Sequence, residues 1–188
     1  MNNYNLFLAE NQIIETERLI LRPTTLADAE DLFEYASDKE TTYFVTFNPY
    51  DSIEDAYFSI ANILMAQPLG KYGIELKDEQ KFIGTVDLFN LDSTKQVAEL
   101  GYILNPKYHR KGYMTEAAAA LLDLGFNKLE LEKIYAMCDS RNEASSGVMK
   151  KLGMKQEATR VHHSLDKDGK WIDMLEFAIL KEEYFSKE

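Results

Sequence analysis

Residues 101–117 read GYILNPKYHRKGYMTEA, and this stretch passes from a strand pattern through a short basic loop into a helix rich in small residues. The first amides of a helix have no partner inside it, and the helix dipole adds partial positive charge at that end. Gly112 stands where the helix would begin and lets a ligand approach the backbone closely. The stretch therefore predicts a site for an anion such as phosphate, and a solvated loop that only caps the helix is the alternative.

Two common nucleotide-binding motifs do not fit this loop. A Walker loop places its Lys directly after the last glycine, whereas Lys111 precedes Gly112 here. A dinucleotide fingerprint requires three spaced glycines, and Gly112 stands alone. His109 and Arg110 add basic character in a protein that is otherwise strongly acidic. The loop therefore favours an anion without matching either motif.

The composition predicts one acidic globular domain, 1–188. The chain has 188 residues, 45% of them hydrophobic, and a formal net charge of -11. This charge argues against a nucleic-acid partner, because binding to phosphates needs a basic face. An acidic surface attracts cationic partners such as amines, although the charge can also serve solubility alone.

Cysteine usage and hydropathy restrict the cellular setting. The single cysteine, Cys138, excludes a disulfide within the chain and a metal cluster built on cysteines. The first basic residue is Arg18, so the charged start of a signal peptide is absent. The longest apolar helical pattern, around residues 117–126, is interrupted by Asp123 and is too short to cross a bilayer. We expect a cytoplasmic protein with no membrane partner.

Hydrophobic periodicity outward from the loop predicts a chain in which strands and helices mix, in the order βααβββαβαββ. The first half is typical of an antiparallel sheet, and a β-α-β crossover follows in the middle. The predicted strands are 18–23, 73–77, 82–91, 97–104, 134–138, 155–165 and 171–180, and the predicted helices are 25–37, 51–66, 113–129 and 142–152.

Several short segments follow recognisable patterns: E-T-E-R-L-x-L-R at 15–22, Q/R-x-x-G-x-G/A at 109–114, N-x-x-S at 142–145, K-L-G-F/M at 151–154 and D-G-x-W-x-D at 168–173. In these segments the chain resembles the GCN5-related N-acetyltransferase (GNAT) superfamily, and within it the Rim-type branch, which includes ribosomal-protein N-acetyltransferases. The resemblance covers about residues 13–182. Two positions depart from the family's pyrophosphate-loop pattern at 109–114: His109 replaces Gln or Arg, and Met114 replaces a small residue.

The resemblance implies an α/β (α+β) fold with a mixed, mostly antiparallel, six- to seven-stranded twisted sheet. About four helices would flank the sheet, and a central strand pair would splay apart. It also implies acetyl-CoA as cosubstrate without a metal, with the pantetheine arm in the gap between strands 97–104 and 134–138. The residues implied to contact coenzyme A are Tyr102, Ile103, Leu104, His109, Arg110, Lys111, Gly112, Tyr113, Met114, Thr115 and Asn142.

Two side chains are predicted to act in catalysis. An amine must lose a proton to attack a thioester, and Glu99 is the predicted base because it interrupts an apolar strand, where Glu is disfavoured. An exposed carboxylate opposite a lysine is the alternative for Glu99. Ser145 is predicted to donate a proton or a hydrogen bond to the leaving thiolate. Many relatives carry a Tyr acid where this chain has Met149, so that acid is excluded.

The sequence therefore predicts an acetyl-CoA-dependent N-acetyltransferase that acts by direct attack in a ternary complex. Its acceptor would be a primary amine, on a small molecule or at a protein N-terminus. A non-catalytic acyl-CoA-binding or sensing module of the same fold is one alternative, and a plain phosphate- or nucleotide-binding domain is another. We expect the protein to be a monomer or a homodimer.

Overall fold

The computed structural model describes residues 3–186, and one eight-stranded sheet forms its centre. The strands are β1 (Ile14–Glu15), β2 (Leu19–Arg22), β3 (Lys71–Leu76), β4 (Lys81–Asp92), β5 (Val97–Leu104), β6 (Lys133–Asp139), β7 (Lys155–Leu165) and β8 (Trp171–Leu180), in the spatial order β1-β2-β3-β4-β5-β6-β8-β7. The α-helices are α1 (Tyr4–Glu10), α2 (Ala29–Ala36), α3 (Ile53–Ser59), α4 (Tyr113–Asp123), α5 (Glu143–Lys151) and α6 (Lys181–Phe185).

The predicted mixed, mostly antiparallel α/β fold is confirmed, and the described core follows the predicted element order. The predicted numbers of elements were too low: the described residues form eight strands rather than six to seven, and six α-helices rather than about four. The additional elements are β1, α1 and α6, which have two, seven and five residues. Such short segments do not establish a hydrophobic period.

The predicted splay lies between β5 and β6, the one parallel pair of the sheet among residues 3–186. The two strands pair only at their beginnings, where Val97, Ala98 and Glu99 face residues 133–135. β6 is paired with β8 from Lys133 to Asp139. Each strand therefore keeps its antiparallel neighbour while the edges of β5 and β6 that face each other separate beyond Glu99.

The two faces of the sheet pack against different helices. On one face, Ala98 and Leu100 of β5 share a buried cluster with Ala117 and Leu121 of α4. On the other face, α2 and α3 pack around Phe82 in a second cluster. Alternation along β5 thus presents neighbouring residues to two different environments.

Among residues 3–186, no helix has both the length and the apolar composition needed to cross a bilayer.

The Glu-Thr-Glu-Arg motif before β2 fastens the sheet to the first turn of α4. Glu116 accepts hydrogen bonds from Thr16 Oγ1 at 2.6 Å and from the Arg18 amide at 2.8 Å. The Arg18 guanidinium also pairs with Glu116, with Nε 2.7 Å from Oε2. These contacts fix the helix end that follows Gly112.

Arg22, at the end of β2, joins two carboxylates from different elements. Its guanidinium lies 2.7 Å from Asp28 Oδ1 and 2.6 Å from Glu75 Oε2. Burial raises the pKa of Asp28, but the hydrogen bonds from Arg22 bring that pKa below its usual value. We expect Arg22→Met to lower the free energy of unfolding by roughly 1–3 kcal/mol, because a largely buried carboxylate loses its partner.

Urea denaturation at pH 7 measures this loss, and Lys95→Met is the control. Lys95 pairs with Asp92, and the two side chains are 75% and 34% exposed. Its loss should therefore cost under about 1 kcal/mol. Equal losses in the two variants would contradict the structural role assigned to Arg22.

Candidate functional site

The basic loop turns into α4 through Gly112, whose φ of +85° lies in the left-handed region. The Glu116 amide donates to the Gly112 carbonyl at 3.0 Å and so makes the first hydrogen bond of α4. The amides of residues 113–115 precede that bond and have no partner within the helix. The loop thus presents main-chain donors at the positive end of a helix, as the sequence predicted.

Arg18 brings a cation to this loop from the other end of the chain. Its Nη1 donates to the Lys111 carbonyl at 3.0 Å, and its guanidinium carbon lies 4.5 Å from the centre of the Tyr113 ring. A Cβ on Gly112 would come within 3.3 Å of Arg18 Nη2. The proximity of Arg18 to the loop was not predicted from the sequence, because it depends on the tertiary structure.

Several side chains of the loop contact the protein itself. His109 Nε2 lies 2.9 Å from the Leu104 carbonyl oxygen and links the loop to the end of β5. Met114 is buried in the core, and the Lys111 ammonium lies 5.2 Å from the centre of the Tyr108 ring. The two departures from the family motif, His109 and Met114, therefore have roles within the fold, while the amides of residues 113–115 have no partner within the helix.

The gap between β5 and β6 adjoins this loop. Because the pairing with β6 ends at Glu99, residues 100–104 keep a main-chain edge toward the gap. Their other edge stays paired with β4 as far as Leu104. Tyr102, Ile103 and Leu104 lie on this stretch, as predicted. An extended ligand can bind such an edge in the way that an added strand does.

The start of α5 contacts the same stretch through Tyr102. The Tyr102 hydroxyl donates to the Ser145 carbonyl at 3.0 Å and lies 3.1 Å from Ser145 Oγ. Asn142 caps α5, since its Oδ1 accepts from the Ser145 amide at 3.0 Å. Burial raises the pKa of Tyr102 above its usual value, so this hydroxyl stays protonated at neutral pH. The structure therefore brings Asn142, Ser145 and Tyr102 together.

Cys138 lies near Ser145 at the end of β6. The thiol is buried, and burial raises its pKa, although a hydrogen bond with Ser145 lowers it in part. A thiol with a raised pKa is a poor nucleophile, because the thiolate is the reactive form.

Within residues 3–186, no group of three or more His, Cys, Asp or Glu side chains is arranged to hold a metal ion.

Glu99 lies at the last position of β5 that pairs with β6, and its side chain is half-buried. Its Oε2 accepts from Asn90 Nδ2 at 2.8 Å and from the Tyr135 hydroxyl at 3.1 Å. Its partners are thus neutral donors, not the lysine of the alternative interpretation.

Met149 stands where many relatives carry a Tyr acid. Its side chain is buried in the hydrophobic cluster between the sheet and α4.

A cavity of about 520 Å³ lies between the β4–β5 pair and the segment that connects α2 to α3. Its wall includes Gly101 and Ile103, so it reaches the stretch of β5 beside the gap. Asp87 of β4 is paired directly opposite Gly101 and also lines the cavity. This volume is in the range of small-molecule sites.

Two buried polar atoms at this cavity have no hydrogen-bond partner within residues 3–186: Asp87 Oδ1 and the Tyr35 hydroxyl. Burial raises the pKa of Asp87 to about 7, and the charge of Lys71 and an amide hydrogen bond from Tyr72 oppose this only in part. Asp87 was not predicted from the sequence, although a carboxylate between Val86 and Leu88 is the same signal that identified Glu99.

Comparison with known proteins places this geometry in a family. Residues 18–155 match the family described as Acetyltransferase (GNAT) domain. An uncharacterized N-acetyltransferase of Bacillus subtilis (strain 168), YnaD, is 33% identical over 171 residues, which are 91% of this chain and 98% of that protein.

Solved structures agree with this comparison. A GNAT-family acetyltransferase from Bacillus anthracis superposes with a TM-score of 0.82 at 30% identity, covering 91% of this chain and 99% of that one. A ribosomal-protein-S5-alanine acetyltransferase from Vibrio fischeri shares the fold, with a TM-score of 0.75 at 23% identity over 92% of this chain and 98% of that one. The resemblance stated from the motifs is thereby confirmed.

Proposed function

The chain belongs to the GNAT acetyltransferase family and is an acetyl-CoA-dependent N-acetyltransferase, and on that premise we propose that it acetylates a primary amine by direct attack in a ternary complex. The observation that carries the proposal is the junction at Gly112, where the chain turns into α4 through a residue in the left-handed conformation. The main-chain amides at the start of α4 have no partner within the helix, and they follow the edge of β5 that has separated from β6. An anion site and a site for an extended arm meet there.

In this proposal the loop of residues 109–115 holds the pyrophosphate of coenzyme A. Main-chain amides at a helix start bind phosphate through hydrogen bonds and the helix dipole. Arg18 adds a charge that sequence analysis did not foresee, since its guanidinium already contacts Lys111 and Tyr113. Because main chain does most of the binding, His109 and Met114 can differ from the family motif.

The pantetheine arm would lie along residues 102–104 in the gap between β5 and β6. One main-chain amide of this stretch would polarise the thioester carbonyl, as the donors of an oxyanion hole do. Asn142 and Ser145 would contact the arm from the start of α5. This arrangement uses the free edge of β5 and needs no further change in the sheet.

Acetyl transfer forms a C–N bond to the acceptor and breaks the C–S bond of the thioester. Glu99 is proposed to take the proton that the amine loses. Ser145 is proposed to hydrogen-bond the leaving thiolate, and the Tyr102 hydroxyl, which donates to the Ser145 carbonyl, holds the start of α5 in position. A thiolate is a fair leaving group, so we expect positioning to contribute more than proton donation.

Binding of coenzyme A should raise the melting temperature. At a ligand concentration of about 100 times Kd, mass action adds roughly 2.7 kcal/mol to the free energy of unfolding. For a domain of this size that corresponds to roughly 5–10 °C. Differential scanning fluorimetry with coenzyme A, and with ATP as the control, measures the shift. A shift with ATP alone would favour the plain nucleotide-binding alternative.

Release of free thiol from acetyl-CoA in the presence of amines tests turnover. Release that depends on an added amine would support the proposed function. Binding of acetyl-CoA without amine-dependent release, across alkylamines and N-terminal peptides, would instead favour the non-catalytic binding module.

A further inference from the structure

We propose that Asp87 and Tyr35 bind the acceptor amine at the floor of the cavity beside β5, and that the acceptor is a small alkylamine carried as a cation. This inference rests on the proposed function and names its substrate class. Asp87 would be a binding residue for the acceptor, with Glu99 keeping the role of base.

The first argument is the position of Asp87 relative to the transfer site. Asp87 faces Gly101 directly across the β4–β5 pair, and residues directly opposite in an antiparallel pair have Cα atoms roughly 4.5–5.5 Å apart. Gly101 carries no side chain, the Phe89 ring lies against it, and the stretch proposed to hold the arm begins at the next residue. An amine bound by Asp87 would therefore lie next to the thioester.

The second argument is the set of unsatisfied polar atoms. Buried polar groups in folded proteins are nearly always hydrogen-bonded, because leaving them without a partner is costly. Asp87 Oδ1 and the Tyr35 hydroxyl are both buried and unpartnered within residues 3–186, and both residues line this cavity. An alkylammonium group has three N–H donors and can satisfy both oxygens while keeping one N–H for transfer to a base.

The third argument is charge. The cavity wall includes Asp51, Asp55 and Asp87, and no Lys or Arg side chain lines it within the described residues. Lys71 lies opposite Asp87 on β3, but its ammonium donates to the Ile63 carbonyl at 2.9 Å. A cation entering the cavity would thus meet a carboxylate without an ion-pair partner of its own.

The fourth argument is the chemistry of the remaining wall, which favours an aliphatic stem over a peptide. Leu32, Phe47, Leu64 and Ile103 contribute apolar side chains. A peptide N-terminus would bring a carbonyl and an amide against this surface, and burying them unpaired is costly. The nearby rings of Phe47 and Tyr50, 5.2 Å apart, suit a cationic ligand with an apolar stem.

The test uses n-butylamine as the probe and Asp87→Asn as the variant, which keeps shape and removes charge. We expect the KM for n-butylamine to rise roughly 10- to 100-fold, as for the loss of a charged hydrogen bond. The Kd for coenzyme A and kcat should stay close to the wild-type values. Tyr35→Phe should raise KM by a smaller factor, since it removes one hydroxyl. An unchanged KM in Asp87→Asn would overturn the inference.

Asp92→Asn is the matched control, on the same strand but outside the cavity. Asp92 Oδ1 accepts from the Thr94 and Lys95 amides, and Asn keeps an acceptor there. Its KM for n-butylamine should equal that of the wild type. A lower kcat with unchanged KM in Asp87→Asn would make Asp87 the base and overturn the binding role.

The effect of Asp87→Asn should also depend on pH. A carboxyl group whose pKa is raised to about 7 is largely protonated at pH 6 and charged at pH 8. The ratio of variant KM to wild-type KM should therefore grow between pH 6 and 8. The titratable groups around Asp87 are Lys71 of β3, Tyr35 of α2, Tyr102 of β5 and, across the cavity, Tyr50, Asp51 and Asp55. A ratio independent of pH would contradict recognition by the Asp87 carboxylate.

Two further measurements separate this inference from the proposed function. Calorimetry of n-butylamine against the protein saturated with coenzyme A measures binding without turnover. Absence of binding to the wild type would overturn the inference even if a tripeptide such as Ala-Ala-Ala is acetylated. Binding of coenzyme A without acetylation of any amine would instead contradict the proposed function.

Discussion

Glu99→Gln is expected to lower kcat by roughly 10²–10⁴-fold, the usual contribution of a general base. Gln keeps the shape of the side chain and an oxygen that can accept from Asn90 and Tyr135. The substitution removes basicity and leaves these contacts in place. The affinity for acetyl-CoA should therefore stay unchanged.

Steady-state kinetics with an acceptor found by thiol release measure this effect. Glu157→Gln is the control, since Glu157 pairs with Lys133 outside the site. Ser145→Ala should cost less than Glu99→Gln, because a thiolate leaves without much help. The reverse ranking would make Ser145 the principal catalytic side chain and Glu99 structural. Normal turnover in both variants would leave positioning and main-chain polarisation as the source of catalysis.

Gly112→Val is expected to weaken coenzyme A binding by roughly 10- to 100-fold, the loss expected when charged hydrogen bonds to phosphate are disrupted. A Cβ at this position would stand where the phosphate approaches the main chain and would come within 3.3 Å of Arg18 Nη2. The φ of +85° also disfavours a β-branched side chain, at a cost of roughly 1–2 kcal/mol in stability.

Gly169→Val separates backbone strain from phosphate contact. Gly169 has a φ of +75°, and nothing lies within 4 Å of a Cβ built there. This variant should lose a similar amount of stability and keep the wild-type affinity for coenzyme A. Calorimetry and melting curves on both variants measure the two effects. Unchanged affinity in Gly112→Val would place the phosphate elsewhere on the protein.

The features that depend on local chemistry could be predicted from the sequence. The strand, basic loop and helix of residues 101–117 follow from hydrophobic period and from a glycine at a helix start, and φ at Gly112 agrees with that interpretation. The order of the longer strands and helices follows from periodicity in the same way. The two-residue β1 and the short terminal helices were missed, because such segments are ordered by their neighbours.

The parts of the site that depend on distant residues could not be predicted in this way. Arg18 lies 93 positions from the carbonyl it contacts, and Ser145 lies 43 from Tyr102. Periodicity within one element carries no information on such pairs. Asp87 did carry a local signal, a carboxylate in an apolar strand, but its place in a cavity depends on how α2 and α3 pack over the sheet.

By itself, the sequence determined the family, the loop that turns into α4 at Gly112 and the use of acetyl-CoA, because each follows from short motifs whose chemistry is local. Only the tertiary structure decided which side chains surround the cavity proposed to bind the acceptor. The separation of β5 from β6, the pairing of Asp87 with Gly101 and the unpartnered oxygens of Asp87 and Tyr35 result from strand register and burial. Register and burial are set by contacts between residues far apart in the chain, so they become visible only when the sheet and its helices are assembled.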